Sequence, residues 1–189
     1  MIDSIQHFRK GDGLLLVDVQ WDFCPGGRLP VPKGDQVVPV LNEWIIAALS
    51  RNIPVYASRD WHPRGHISFK ERGGPWPEHC IQDTDGAQFH PNLHRDDKIL
   101  VVTKGTRFDR DQNSVFDGTG FSAQLAHDRI RRLHIGGLAL DVCVLATVLD
   151  ALKAGLEVQL IKAATRPVDE DNGRRALERM IKEGVKVLD

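Results

Sequence analysis

Short apolar segments alternate along this chain with segments of helical periodicity, and no other feature limits its fold as strongly. Several of these runs are apolar without alternation, which suits parallel strands buried on both faces. Six segments are predicted to be strands, at 13–19, 54–58, 98–103, 132–137, 157–161 and 185–188. Strands that alternate with helices predict an α/β fold with helices on both faces of the sheet. We therefore expect a three-layer α/β/α architecture around a mostly parallel sheet of about six strands.

Four helices are predicted between these strands, at 35–50, 121–128, 141–154 and 169–182. Asp35 is the predicted N-cap of the first helix, and Asp141 is the predicted N-cap of the third. A chain of 189 residues suits one domain with one sizeable core. We therefore expect residues 1–189 to form a single domain.

The charge balance argues against two classes of partner. The formal net charge is −1, so nothing electrostatic favours nucleic acid or an anionic membrane. No apolar run approaches the ~20 residues of a membrane-spanning helix. Cys24, Cys80 and Cys143 are widely spaced, which does not suggest a disulfide framework and favours a reducing compartment. We expect a cytoplasmic protein that acts on a small molecule and binds neither nucleic acid nor membrane, with homo-oligomerisation left open.

Reactive side chains stand at the ends of four predicted strands. Asp18 closes the first strand, and Asp60 follows the second. Lys104 follows the third strand, and Cys143 lies just past the fourth. In sheets of this kind, ligands bind beyond the carboxyl ends of the strands, where the strand order reverses. We therefore expect these four side chains to lie at one site.

Cys143 is the candidate nucleophile of that site. It falls in the first turn of a predicted helix, where the positive end of the helix dipole favours a thiolate. Asp18 lies in an apolar run, and burial raises the pKa of a carboxyl toward the range of a general base. Lys104 would hold the negative charges of both groups in place. Each residue also has an ordinary interpretation: a small buried cysteine, a carboxylate that caps a helix or pairs with an arginine, and a solvated lysine.

A second set of side chains indicates a metal site. Asp60 and His62 are separated by one residue at a strand end, and His66 and His79 follow further along the chain. One hard oxygen and several imidazoles suit a divalent ion, for which we expect Zn²⁺, with Fe²⁺ and Mn²⁺ as alternatives. The other interpretation is a group of surface histidines on the long loop from 60 to 96.

Five motifs together resemble those of nicotinamidase/pyrazinamidase, a branch of the isochorismatase-like cysteine hydrolases. They are VDVQWDFC at 17–24, DWHPRGHISF at 60–69, WPEHC at 76–80, KG at 104–105 and GLALDVCV at 137–144. The resemblance extends from about residue 13 to the end of the sequence, and the order and spacing of the five motifs make it specific. It implies hydrolysis of nicotinamide to nicotinate and ammonia through a cysteine thioester.

The resemblance also assigns roles to individual residues. It implies a catalytic triad of Asp18, Lys104 and Cys143. It implies a divalent metal held by Asp60, His62 and His79, with His66 left open as a further ligand.

The same resemblance implies how the substrate is held. It predicts a cis peptide bond between Leu138 and Ala139, with the N–H groups of Ala139 and Cys143 directed toward an oxyanion. Phe23, Leu29 and Trp76 match positions that pack around a pyridine ring. The residues alone leave Phe23, Trp61 and Trp76 either as the lining of an apolar pocket or as packing under long loops.

Two departures from the family pattern leave the substrate range open. Many nicotinamidases have Thr and an aromatic residue or His where this chain has Leu140 and Val142, and segment 108–117 is not a close match. The alternatives are another small-amide hydrolase, a vinyl-ether hydrolase acting on isochorismate, hydrolysis by a metal-bound hydroxide, and a non-catalytic protein that binds a metal or a small ligand. The vinyl-ether branch lacks both the cysteine and the metal residues, which argues against it.

Overall fold

The computed structural model describes residues 8–189, and their strands form a single six-stranded sheet. The strands are β1 (Asp12–Val17), β2 (Val55–Asp60), β3 (Ile99–Lys104), β4 (Arg132–Leu138), β5 (Glu157–Arg166) and β6 (Lys186–Leu188). Their order is β3-β2-β1-β4-β5-β6, and every neighbouring pair is parallel. The predicted α/β fold is confirmed.

Helices cover both faces of the sheet. They are α1 (Val37–Ser50), α2 (Phe121–His127), α3 (Leu145–Lys153) and α4 (Glu170–Lys182). Helix α1 packs in one hydrophobic cluster, while α2, α3 and α4 contribute to a second cluster on the opposite face. This arrangement is the predicted three-layer architecture. Within residues 8–189, no helix has both the length and the apolar character needed to cross a membrane.

Strand β1 shows why the apolar runs do not alternate with polar residues. Leu14 and Leu16 belong to the cluster that contains α1, whereas Leu15 and Val17 belong to the cluster on the other face. All four side chains are at most 1% exposed. A strand covered by helices on both faces needs an apolar side chain at every position.

Several predicted boundaries are wrong, for local reasons. The first strand ends at Val17 because Asp18 turns the chain with a positive φ of 48°. Strand β5 continues to Arg166, five residues beyond its predicted end at 161, because it pairs with β4 again after a register shift. Asp35 caps no helix through its side chain and lies within one turn of 3-10 helix that precedes α1.

The strand order places the functional edge of the sheet. The chain runs outward from β1 through β2 to β3, and it then returns to the other side of β1 as β4. The reversal therefore lies between β1 and β4, and the carboxyl ends of these strands border the crevice where ligands of such sheets bind.

Truncation of a central leucine should cost far more stability than truncation of an edge leucine. Leu133 of β4 is fully buried, whereas Leu100 of the edge strand β3 is 38% exposed. We expect Leu133→Ala to lower the free energy of unfolding by about 2–5 kcal/mol, and Leu100→Ala to lower it by less than about 1 kcal/mol. Urea unfolding of both variants tests this, and equal losses would contradict the predicted position of the core.

Candidate active site

The ammonium of Lys104 lies at the centre of the predicted site. Its Nζ is 2.9 Å from Asp18 Oδ2, 2.5 Å from Asp60 Oδ1 and 3.7 Å from Cys143 Sγ. Burial disfavours this ammonium, but the two carboxylates more than compensate and hold the pKa of Lys104 well above its usual value. Lys104 therefore remains a cation, and the four side chains predicted to share a site do so.

Asp18 is fixed through one oxygen and available through the other. The Ser58 hydroxyl donates to Oδ1 over 2.6 Å, and both residues are fully buried. Among residues 8–189, Oδ2 accepts no directed hydrogen bond, although it lies close to Lys104 Nζ. Burial raises the pKa of Asp18, and the Lys104 charge offsets only part of that rise. A fixed carboxyl with a raised pKa and a free oxygen suits a general base.

Cys143 lies at the start of the helix after β4, but not in the predicted conformation. Residues Leu140–Val144 form a π-helical turn, in which Val144 N–H donates to Ala139 O. Asp141 is not an N-cap, because its carboxylate accepts from the backbone N–H groups of Val168 and Asp169. It thereby joins this turn to the segment before α4.

The thiol of Cys143 is neutral in the resting protein. The side chain is only 7% exposed, and burial raises its pKa well above the usual value, although the Lys104 ammonium acts in the opposite direction. Desolvation therefore outweighs the helix-dipole effect, which was expected to favour a thiolate. A carboxylate oxygen of Asp18 and one of Asp60 lie within 4.8 Å of Cys143 Sγ, so a proton acceptor is near.

Asp60, His62 and His79 form a group that suits a divalent metal ion. One donor atom from each lies within 4.8 Å of the other two, and all three residues are buried. His62 Nδ1 donates to Gly105 O over 3.0 Å, and His79 Nδ1 donates to Pro77 O over 2.8 Å. Both rings therefore carry a proton on Nδ1, and in the neutral form of such a ring Nε2 is the nitrogen with a lone pair for a metal ion.

Charge also favours metal binding by this group. Burial lowers the pKa of His79, which keeps the imidazole neutral. Burial opposes ionisation of Asp60, but the adjacent Lys104 ammonium lowers the pKa of this carboxyl below its usual value. A carboxylate and neutral imidazoles are the protonation states that a zinc-like ion requires.

His66 is not brought into this group. Its Nδ1 lies 2.7 Å from Ser68 Oγ, and its Nε2 lies 3.0 Å from Arg110 O, so both ring nitrogens are hydrogen-bonded. The ring stacks on His62 with centroids 4.1 Å apart. In this arrangement His66 packs against His62 and offers no free nitrogen.

A cavity that is partly open to solvent is lined both by Cys143 and by the metal group. Phe23, Leu29 and Trp76 all line it, as the resemblance implies. The third aromatic residue, Trp61, instead packs against Arg59, whose guanidinium carbon Cζ lies 4.1 Å from the centroid of the Trp61 ring. Further lining residues come from three separate segments that no sequence motif brought together: Val31, Asp111, Gln112, Asn113 and Val168.

The two positions that depart from the family pattern have different surroundings. Val142 lines the cavity, whereas Leu140 is buried in the hydrophobic cluster that contains α3 and α4. Only Val142 is therefore placed to contact a ligand.

The peptide bond between Leu138 and Ala139 is cis, as predicted. Ala139 lines the cavity beside Cys143. Within the described part of the chain, the Ala139 N–H donates to no protein acceptor. It is thus a free hydrogen-bond donor next to the thiol.

Comparison with known proteins gives the family. The family model described as the isochorismatase domain matches residues 12–189. The chain belongs to the isochorismatase family. The resemblance inferred from the five motifs is thereby confirmed.

Relatives within the isochorismatase family include characterised amidases. A nicotinamidase of Escherichia coli is 41% identical over 177 residues, which cover 82% of this chain and 83% of that protein. The pyrazinamidase of Pyrococcus horikoshii in complex with zinc is 42% identical with a TM-score of 0.92, covering 95% of this chain and 99% of that one. The L. infantum protein PnC1 in complex with nicotinate is 36% identical with a TM-score of 0.86, covering 94% and 92%.

Alkylation of the metal-free protein tests the protonation state of the thiol in this member of the isochorismatase family. Cys143 borders the cavity, whereas Cys24 and Cys80 are fully buried, so iodoacetamide should modify Cys143 first. Because the pKa of Cys143 lies above its usual value of 9.0, the rate should still be rising at about pH 9. Peptide mass spectrometry gives the site and the rate, and a plateau near neutral pH would show a resting thiolate.

Proposed function

We propose that this chain is a nicotinamidase, an amidohydrolase that converts nicotinamide to nicotinate and ammonia through a thioester on Cys143. The observation that carries the proposal is one cavity lined by both a thiol and a metal-binding group, with a buried proton acceptor, Asp18, within 4.8 Å of the sulfur. Its apolar walls, which include Phe23 and Trp76, suit a flat ring. The nicotinamidase of E. coli and the nicotinate complex of the L. infantum protein support this substrate class.

Asp18 begins the reaction as the general base. Its free Oδ2 takes the thiol proton of Cys143 as the sulfur attacks the amide carbon. The Lys104 ammonium stabilises the negative charges of Asp18 and of the attacking sulfur. Its Nζ lies 2.9 Å from Asp18 Oδ2 and 3.7 Å from Cys143 Sγ. Because the thiol is neutral at rest, this proton transfer is part of the attack rather than a step completed beforehand.

The tetrahedral oxyanion is stabilised by backbone donors. In this proposal the N–H groups of Ala139 and Cys143 donate to the developing charge, and the Ala139 N–H has no competing acceptor in the described structure. Loss of one such donor typically costs about 3 kcal/mol of transition-state stabilisation.

Asp18 then completes both halves of the reaction. It returns its proton to the departing nitrogen, which releases ammonia and leaves the thioester on Cys143. A water molecule next attacks the thioester while Asp18 again accepts a proton, and collapse of the second intermediate frees nicotinate and the thiol.

Asp60, His62 and His79 would hold the divalent ion, for which we propose zinc. The oxygen and two imidazole nitrogens suit it, and the P. horikoshii pyrazinamidase is known as a zinc complex. When bound, the ion orients the pyridine ring and polarises it. Phe23, Leu29 and Trp76 pack around that ring in this proposal.

We place the reaction in a reducing compartment, the cytoplasm. Cys24, Cys80 and Cys143 are all unpaired and buried, as expected for a protein that needs no disulfide.

Cys143→Ala should abolish turnover without emptying the site. Removal of the attacking atom is expected to lower kcat for ammonia release by about 10⁴-fold or more. Nicotinamide affinity and bound zinc should stay close to wild type, because neither depends on the sulfur. Ammonia release measures the loss of turnover, and the zinc content of the same sample shows whether the metal site is intact. Cys24→Ala removes a cysteine from the core outside the site and is the matched control.

The same assay separates the alternatives. Retained turnover in Cys143→Ala would favour a metal-bound hydroxide as the nucleophile. Isochorismate cleavage without ammonia release from nicotinamide would favour the vinyl-ether reaction. Inactivity of the zinc-loaded wild type on all pyridine carboxamides would favour a binding protein.

Ser58→Ala should lower kcat more than it raises KM. The variant removes the hydrogen bond to Asp18 Oδ1, so the carboxylate loses its fixed orientation. A hydrogen bond to a charged group is worth roughly 2 kcal/mol, so we expect kcat to fall about 30-fold. Ser58→Thr keeps the hydroxyl and should restore most of the rate, and steady-state kinetics of both variants distinguish orientation of the base from loss of substrate binding.

A further inference from the structure

The loop between β3 and α2 contains one buried side chain that joins its two ends. Gln112 is 8% exposed, and its Oε1 accepts from the Gly105 N–H over 2.9 Å. Its Nε2 donates to Asp117 O. The side chain thus connects the start of the loop, next to Lys104, with its far end.

Gly105 is in direct contact with a proposed metal ligand. Its carbonyl accepts the Nδ1 proton of His62 over 3.0 Å. Its φ is +66°, and a Cβ at this position would lie 2.4 Å from His62 Cε1. The peptide therefore lies against the imidazole with no room for a side chain, and any displacement of Gly105 must move the His62 ring or break its hydrogen bond.

The same loop supports the metal group at a second point. The Arg110 carbonyl lies 3.0 Å from His66 Nε2, and the Phe108 carbonyl accepts from the Ile67 N–H over 2.8 Å. Because the His66 ring packs against the His62 ring, with centroids 4.1 Å apart, these contacts also limit movement of the His62 imidazole. The loop thus limits the movement of His62, and the Gln112 side chain connects the two ends of the loop.

We propose that Gln112 is a positioning residue for the metal site: it fixes Gly105, which orients His62 so that Nε2 faces the ion. This inference rests on the proposed metal group of Asp60, His62 and His79. Groups that orient the ligands of a metal ion commonly change its affinity by about 10- to 100-fold. Gln112 acts through Gly105 and is not itself assigned as a ligand.

Zinc affinity of the intact protein tests this role. Gln112→Met keeps the size of the side chain but removes both hydrogen bonds, and we expect it to raise the Kd for zinc about 10-fold or more. Arg107→Ala is the control on the same loop, because it removes only an exposed pair with Asp109. Competition with a chromophoric chelator gives both values, and activity is not the readout because Gln112 also lines the cavity.

A spectroscopic readout separates ligand orientation from general loss of stability. The d–d spectrum of bound Co²⁺ should change in Gln112→Met and stay as wild type in Arg107→Ala. Gln112→Glu keeps an oxygen for the Gly105 N–H but loses the donor to Asp117 O, so its zinc affinity should lie between those of wild type and Gln112→Met, and its comparison with wild type stands if the Met variant folds poorly. Equal zinc affinity in wild type and both Gln112 variants, or an equal loss in Arg107→Ala, would overturn the inference.

The wild type separates this inference from the proposed function. Wild type that binds zinc and releases ammonia from nicotinamide, with unchanged affinity in the Gln112 variants, would overturn the role of Gln112 alone. Wild type that binds no zinc would overturn both the inference and the proposed metal group. Zinc binding without amidase activity, together with weakened binding in Gln112→Met, would support the inference while contradicting the proposed function.

Discussion

The Lys104 ammonium, enclosed by two carboxylates and a thiol, is the interaction on which the site depends. Burial of Asp18 and Asp60 so close together would be unfavourable without a cation between them. Lys104 satisfies both carboxylates with one charge and also contacts Cys143. It lies between the proposed general base and the proposed metal group, so its removal would leave both buried carboxyl groups without their cationic partner.

The sheet order explains how this contact arises from distant parts of the sequence. Asp18, Asp60 and Lys104 stand at the carboxyl ends of β1, β2 and β3, which are neighbours in the sheet. Cys143 follows β4, on the other side of β1. Parallel strands align all these ends on one edge, and the reversal of strand order opens the crevice there. The fold therefore supplies the position of each group, and the loops supply the cavity walls.

Periodicity and strand-end chemistry predicted the layers, the strand positions and the meeting of the four reactive side chains. They did not predict the resting state of Cys143, because its protonation depends on burial that only the folded loops create. Asp141 was predicted to be an N-cap because the local sequence reveals neither the π-helical turn that contains it nor its hydrogen bond with the Val168 N–H, 27 residues away. Gln112 showed no signal either, since its two hydrogen bonds depend on the conformation of an irregular loop that no sequence pattern predicts. The catalytic and ligand roles of individual residues stay predictions.

The buried, protonated thiol has a consequence for durability. Peroxides and other electrophiles react with thiolates, so a sulfur that keeps its proton until an amide is seated is a poor target for them. The low exposure of Cys143 adds a steric barrier to the same reactions. Desolvation, which makes catalysis dependent on a neighbouring base, thus also protects the catalyst from oxidative inactivation between turnovers.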